Sequence, residues 1–90
     1  GCGFDFKLVT EEKDLYLGIE VKGLNEIRGN IALTNKEHAV ASFLKDRYFI
    51  FVVKNFKEIP FHSVFQDPLS FMNFKRIESK ITQISWNTPI

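Results

Sequence analysis

Two carboxylates and a lysine near the start of the chain have the residue types of a metal-dependent phosphodiesterase. Asp5 stands in Gly-Phe-Asp, and Glu20 and Lys22 stand in Ile-Glu-Val-Lys-Gly. Magnesium takes hard oxygen ligands, commonly one or two carboxylates together with waters. A bound metal lowers the pKa of its water and offsets charge on the phosphate, while a lysine can orient the water or steady the phosphate. We therefore predict Asp5, Glu20 and the Val21 carbonyl as ligands of Mg²⁺ or Mn²⁺, and Lys22 as the catalytic lysine.

These residues can act together only if two predicted strands pair in one register. Residues 4–10 and 15–22 alternate as strands do, and the polar segment 11–14 can join them as a turn. A one-residue slip would move every side chain of one strand to the other face. The turn and the hydrophobic pattern agree on one register. It predicts three apolar pairs on one face: Leu8 with Leu17, Phe6 with Ile19, and Phe4 with Val21.

The same register places Asp5 opposite Glu20 on the other face. Their Cβ atoms would be about 4.5–5.5 Å apart. Two like charges at that distance repel unless a cation lies between them, and Lys22 points to the same face. A local conflict inside a consistent pattern marks a candidate functional site. The alternative reading of Glu20 and Lys22 is an ordinary salt bridge on a solvated strand face.

The remaining pattern predicts a mixed α/β sheet with one clear helix. Thr34-Asn-Lys-Glu37 has the spacing of a capping box, so a helix is expected at about 35–45. Residues 48–53 are apolar on both parities, which favours a central strand covered on both sides. The capping box explains Glu37 without a site role, and the helix N-terminus suggests phosphate contacts for Asn35 and Lys36. Further predictions are short strands at 31–33, 59–65 and 81–86, strand ends at Gly23 and Asp67-Pro68, helix residues Ala39, Val40, Phe43 and Leu44 facing inward, and His38 facing solvent.

Composition narrows the classes of protein. The 90 residues predict a single domain over 1–90, and the absence of an initiator methionine suggests a fragment of something larger. The lone Cys2 excludes an internal disulfide and favours a reducing cytoplasm. No apolar run is long enough to cross a bilayer, so no membrane association is predicted. A net charge of +1 implies that any nucleic acid is bound through a local patch.

Residues 3–68 resemble a known family. Gly3-Phe-Asp5 and Ile19-Glu-Val-Lys-Gly23 resemble the active-site motif of the PD-(D/E)xK nuclease superfamily. With Leu-Thr-Asn-Lys-Glu37, Asp46-Arg-Tyr48 and Asp67-Pro-Leu69, the chain resembles the NO VEIN C-terminal domain family. The resemblance implies a restriction-endonuclease-like fold with a long N-terminal hairpin, joined to helicase, ATPase or other defence modules. Phe4 stands where the superfamily has proline, and the superfamily's helix before the first strand is absent.

Three functions therefore remain open at the level of sequence. The first is a magnesium-dependent DNA endonuclease of a bacterial restriction or defence protein, with a homodimer expected if both strands are cut. The second is an inactive nuclease fold kept for binding DNA or a protein partner. The third is a structural domain inside a larger enzyme. Metal binding separates the first from the other two.

Overall fold

The computed structural model describes residues 3–9, 16–25, 28–54, 59, 61–78 and 83–90. The predicted turn at 11–14 and Cys2 lie outside the described residues. The described chain is a mixed α/β structure with two sheets and one α-helix. Its elements are β1 Phe6–Val9, β2 Tyr16–Leu24, β3 Asn30–Thr34, α1 Asn35–Leu44, β4 Tyr48–Lys54, β5 Phe61–Gln66, β6 Lys75–Glu78 and β7 Ile84–Pro89, with 3₁₀ turns at Lys45–Arg47 and Pro68–Ser70.

The first sheet has the order β1-β2-β4-β5, with β2 parallel to β4 and both outer strands antiparallel. Phe6 pairs with Ile19 and Leu8 with Leu17, which confirms the predicted register. β1 is shorter than predicted. The prediction that Gly23 ends β2 is wrong, because the strand keeps pairing with β4 as far as Leu24.

The buried face of this sheet is the face that carries Glu20. Gly18 and Glu20 are buried, whereas Ile19 is half-buried and Val21 is exposed. The reason is that α1 packs over Gly18: a Cβ there would lie 2.9 Å from Leu44 Cδ1. The reading of Glu20 as a residue on a solvated face is therefore wrong.

Phe4 leaves the apolar face that the alternation predicted for it. It precedes β1, and its ring packs against the Tyr16 ring at a centroid distance of 5.7 Å. It also lies next to Gly18, on the same side as Leu44. The predicted pairing of Phe4 with Val21 is wrong because the chain bends at residues 3–5 before the strand begins.

Helix α1 begins at the predicted capping box. Thr34 Oγ1 accepts from the Glu37 N–H, and a Glu37 carboxylate oxygen accepts from the Thr34 N–H. The inward-facing residues are only partly as predicted, because the helix packs against strands of both sheets. Ala41 and Leu44 are buried and Val40 half-buried; Ala39 and Phe43, expected inside, are exposed.

The strands divide into two sheets rather than the single sheet predicted. The second sheet has the order β3-β7-β6 and is antiparallel throughout. The predicted final strand lies later, at Ile84–Pro89. β6 was not predicted, because Lys-Arg-Ile-Glu is exposed at every position and carries no apolar alternation.

The core lies between the first sheet, α1 and β3. β4 is central, as predicted, but it is covered fully on one face only: Tyr48, Ile50 and Val52 are buried, while Phe49 and Phe51 are half-buried. The described residues include no helix long and apolar enough to cross a membrane. The buried apolar residues are Ile31, Leu33, Ala41, Leu44, Tyr48, Ile50 and Val52.

Candidate metal-binding site

Glu20 is a buried carboxylate on an inner strand, with 4% of its surface exposed. Its Oε2 lies 3.3 Å from Lys22 Nζ. Its Oε1 is buried and has no hydrogen-bond partner among the described residues. A buried acceptor left unpaired costs about 1–3 kcal/mol, and more if it is charged. The site therefore calls for a proton or a cation at this oxygen.

Lys22 is shared between Glu20 and the helix. Its Nζ lies 2.9 Å from Glu37 Oε1, closer than to Glu20. The same Glu37 oxygen accepts from the Thr34 N–H at 2.9 Å. Glu37 thus caps α1 and contacts the lysine at once, whereas the sequence had assigned it to the cap alone. The contact between Glu37 and Lys22 could not be predicted from the capping box, because it depends on how α1 lies over β2.

Asp5 lies where the pairing of β1 with β2 ends. Its N–H donates to the Ile19 carbonyl at 2.8 Å, and its Oδ2 accepts from the Val21 N–H at 2.7 Å. The carboxylate thus takes the place of a strand carbonyl at the edge of β2. Because the N–H and C=O of a strand residue point to the same side, the Val21 carbonyl faces this edge too. The structure brings Asp5 and Val21 together there.

Burial and charge set the protonation of the two glutamates. Burial, opposed by Lys22 and supported by Glu37 and Asp5, raises the pKa of Glu20 to about 7. Burial also works to raise the pKa of Glu37. Hydrogen bonds from the Thr34 N–H and Lys22 outweigh it, so the pKa of Glu37 is lowered. Of the two glutamates, Glu20 is therefore the one that binds a proton near neutral pH.

The buried Tyr48 side chain lies near the cluster formed by Asp5, Glu20, Lys22 and Glu37. Its hydroxyl donates to the Gly3 carbonyl at 3.1 Å. Burial, followed by the charges of Glu20, Glu37 and Asp5, raises the pKa of Tyr48, which keeps the phenol protonated. Tyr48 therefore ties the Gly-Phe-Asp segment to β4 and holds Asp5 beside β2.

The donor set fits a hard divalent cation. Asp5, Glu20 and Glu37 bring three carboxyl groups to the single ammonium of Lys22, and once Glu20 is ionised its buried Oε1 has no described donor. Among the described residues, no three His, Cys, Asp or Glu side chains converge closely enough to hold a metal by themselves. The predicted ligands are instead two carboxylates and a carbonyl. An all-oxygen set of this size, completed by water, suits Mg²⁺ or Mn²⁺ better than Zn²⁺.

The residues predicted to contact phosphate lie at the start of α1. Asn35 Oδ1 accepts from Trp86 Nε1 at 3.1 Å, and Lys36 is exposed. His38, expected to face solvent, is half-buried and stacks on Trp86 with ring centroids 3.7 Å apart. Burial lowers the pKa of His38. The Asn35 amide oxygen is therefore engaged, and phosphate contact by the Asn35 amide N–H₂ group and by Lys36 stays a prediction.

The fold and the site define a small α/β domain with a buried carboxylate–lysine cluster. The chain belongs to the family of the C-terminal domain of protein NO VEIN, whose model matches residues 1–66. The match reaches from before β1 to the end of β5 and includes every residue of the cluster. No curated protein and no solved structure matches the chain significantly.

Proposed function

We propose that this domain is a magnesium-dependent deoxyribonuclease with a restriction-endonuclease-like, PD-(D/E)xK type of site. The observation that carries the proposal is the buried Glu20 Oε1 beside Lys22, which has no described hydrogen-bond donor once Glu20 is ionised, close to the end of β1 where Asp5 is fixed to the Val21 N–H. A structural ion pair has no need of the Asp5 carboxylate that the Val21 N–H holds nearby, whereas a cation site uses it as a second carboxylate ligand.

The roles follow from the placement of each group. Asp5, Glu20 and the Val21 carbonyl would hold Mg²⁺ or Mn²⁺, which would supply a bound water of lowered pKa and offset charge on the phosphate. Lys22 donates hydrogen bonds from a partly exposed ammonium, so it can orient the attacking water or steady the phosphate oxygens. Tyr48 and Gly3 fix the segment that carries Asp5.

DNA is the proposed substrate, and the domain's context would be a bacterial restriction or defence protein. The near-neutral charge requires a local contact surface, for which Lys36 at the start of α1 is the candidate. Cleavage of both strands would use a homodimer. Covalently linked helicase or ATPase modules would deliver the substrate.

Calorimetry with Mg²⁺ and Mn²⁺ tests the proposal directly. We expect the wild-type chain to bind, and Glu20→Gln to bind at least about tenfold more weakly, since it removes one charged ligand. Glu78→Gln is the matched control, because Glu78 is an exposed strand glutamate paired only with Arg76 at 3.3 Å in the described chain. Plasmid cleavage that requires the metal and is lost in Lys22→Met would complete the case. Absence of metal binding by the folded wild type would refute it.

A second candidate is a binding module that has lost catalysis. The observation favouring it is the closed network itself, in which Lys22 is paired with two glutamates and Asp5 is tied to backbone. If the domain is a binding module, calorimetry should detect no heat of Mg²⁺ binding. The affinity for DNA or for a protein partner should be the same in Glu20→Gln as in the wild type. The same titrations therefore separate the two candidates.

A further inference from the structure

Building on the proposed function, we infer that Glu37 is the positioning residue of Lys22, holding its ammonium in the site once Glu20 binds a cation. Glu37 lies on α1, outside the Asp–Glu–Lys set that the sequence motif predicts. It would act through Lys22 rather than on the substrate. The capping glutamate of α1 would thus fix the position of the proposed catalytic lysine on β2.

The Glu37 carboxylate is fixed before Lys22 contacts it. Oε1 accepts from the Thr34 N–H at 2.9 Å, and the Glu37 N–H donates to Thr34 Oγ1 at 3.1 Å. These two bonds set the side chain of Glu37 from the backbone of the first helical turn. Lys22, in contrast, has a flexible four-carbon stem that loses up to about 2 kcal/mol of rotamer entropy when ordered. A preset acceptor at 2.9 Å from Nζ is what orders it.

Glu20 cannot perform this task during the reaction. In the structure Glu20 Oε2 also holds Lys22, at 3.3 Å. A divalent cation on the same carboxylate would draw its charge and repel the ammonium. The ion pairs of Lys22 within the described residues are with Glu20 and Glu37. Glu37 is therefore the partner that remains, and without it the partly exposed Lys22 would turn towards solvent.

Other nearby groups are engaged elsewhere. Tyr48 donates its hydroxyl proton to the Gly3 carbonyl, and Asp5 Oδ2 accepts from the Val21 N–H. Neither is placed by a described contact on Lys22. The position of the ammonium therefore depends on the helix, and only indirectly on the hairpin.

The test compares Glu37→Ala and Glu37→Gln with wild type at saturating Mg²⁺. We expect Glu37→Ala to lower kcat for plasmid cleavage about 10²-fold, the scale of a misplaced catalytic group, with a much smaller change in KM and in Mg²⁺ affinity. The ¹⁵Nζ resonance of Lys22 should shift and broaden in that variant. Glu37→Gln keeps an acceptor for Lys22 and Thr34, so its kcat should lie between the two.

A control variant, Thr34→Ala, separates positioning from helix capping. Thr34→Ala weakens the cap but leaves the backbone N–H of residue 34 and the Glu37–Lys22 pair in place, so it should lower stability without moving the Lys22 resonance. An equal loss of kcat in Thr34→Ala and Glu37→Ala would overturn the inference. So would an unchanged Lys22 resonance and kcat in folded Glu37→Ala while wild type binds metal and cuts. A wild type that binds no metal would refute the proposed function itself.

Discussion

The raised pKa of Glu20 should make the proposed metal binding depend on pH. Only the ionised carboxylate is a ligand, and the pKa of Glu20 is raised to about 7 by burial. We expect the apparent affinity for Mn²⁺ to rise about tenfold per pH unit below pH 7 and to level off above it, as one proton is displaced per ion. Calorimetry between pH 5.5 and 8.5 measures this. An affinity independent of pH across that range would show that Glu20 is not a ligand.

The same carboxyl group links stability to pH, with a definite sign. Its folded pKa of about 7 lies above its ordinary 4.5, so the folded state binds the proton more tightly. Without metal, the free energy of unfolding should therefore fall as pH rises from about 4.5 to about 7, by at most about 3 kcal/mol. Glu37, whose pKa is lowered, contributes in a separate window below its ordinary value.

Urea unfolding of Glu20→Gln checks this linkage. The variant keeps an uncharged side chain of similar shape, so the fall in stability across that window should be absent, leaving the rise with pH that the lowered pKa of His38 contributes. It should exceed the wild type at pH 8 in the absence of metal, where the wild type buries an ionised carboxylate. Saturating Mg²⁺ should reverse the order, because the metal stabilises only the wild type. A wild type that gains stability relative to Glu20→Gln between pH 5 and 7 without metal would contradict the expected sign.

At the scale of elements, the bend before β1 positions Asp5. Gly3 has φ +86°, which L side chains rarely adopt, and a Cβ there would lie 2.5 Å from Val40 Cγ2 on α1. Gly3→Ala should lower the free energy of unfolding by about 1–3 kcal/mol and also weaken Mg²⁺ binding, since Asp5 moves with the bend. The control is Gly29→Ala, whose Cβ would meet nothing closer than 3.4 Å. Equal effects of the two substitutions on metal affinity would refute this coupling.

The sequence predicted the pairing of β1 and β2 because strand register is a local property. Side chains alternate with period two, so the pairs of Phe6 with Ile19 and of Leu8 with Leu17 followed from spacing alone. The buried face could not be predicted in the same way. Alternation favours the apolar face as the inner one, but α1 packs on the opposite face, where Gly18 leaves room for Leu44. Strand β6 could not be predicted because apolar and polar residues do not alternate in its sequence.

The cluster itself was predictable as far as the hairpin extends. Glu20 and Lys22 lie on β2 and Asp5 lies just before β1, and their types and spacing predicted the site. Glu37 was not predictable as part of it, because its contact with Lys22 depends on how α1 crosses β2. The capping box gave Glu37 a sufficient local explanation. Glu37 has two roles, capping α1 and contacting Lys22, and the local sequence motif indicates only the first.

At the scale of the molecule, the described outer face of the first sheet is largely apolar and partly exposed. By register, Phe6, Ile19 and Phe49 lie in one row, and Val21, Phe51 and Val64 in the next. Phe6 is 59% and Val64 47% exposed. In the described strands no Asp, Glu, Lys or Arg lies on this face. A sheet with a parallel pair is normally covered on both faces, so an apolar face of this size favours association.

We therefore expect this chain to self-associate with rising concentration, and Val64→Lys to suppress the association. Val64 lies on the edge strand β5, where an added charge meets solvent with little cost to the fold. Sedimentation velocity over a hundredfold range of concentration measures the effect. Phe43→Lys is the matched control, since Phe43 is 71% exposed on α1, away from this face. If both variants reduce association equally, general surface apolarity is responsible rather than the sheet face. A wild type that stays monomeric throughout would show that the open face does not drive association.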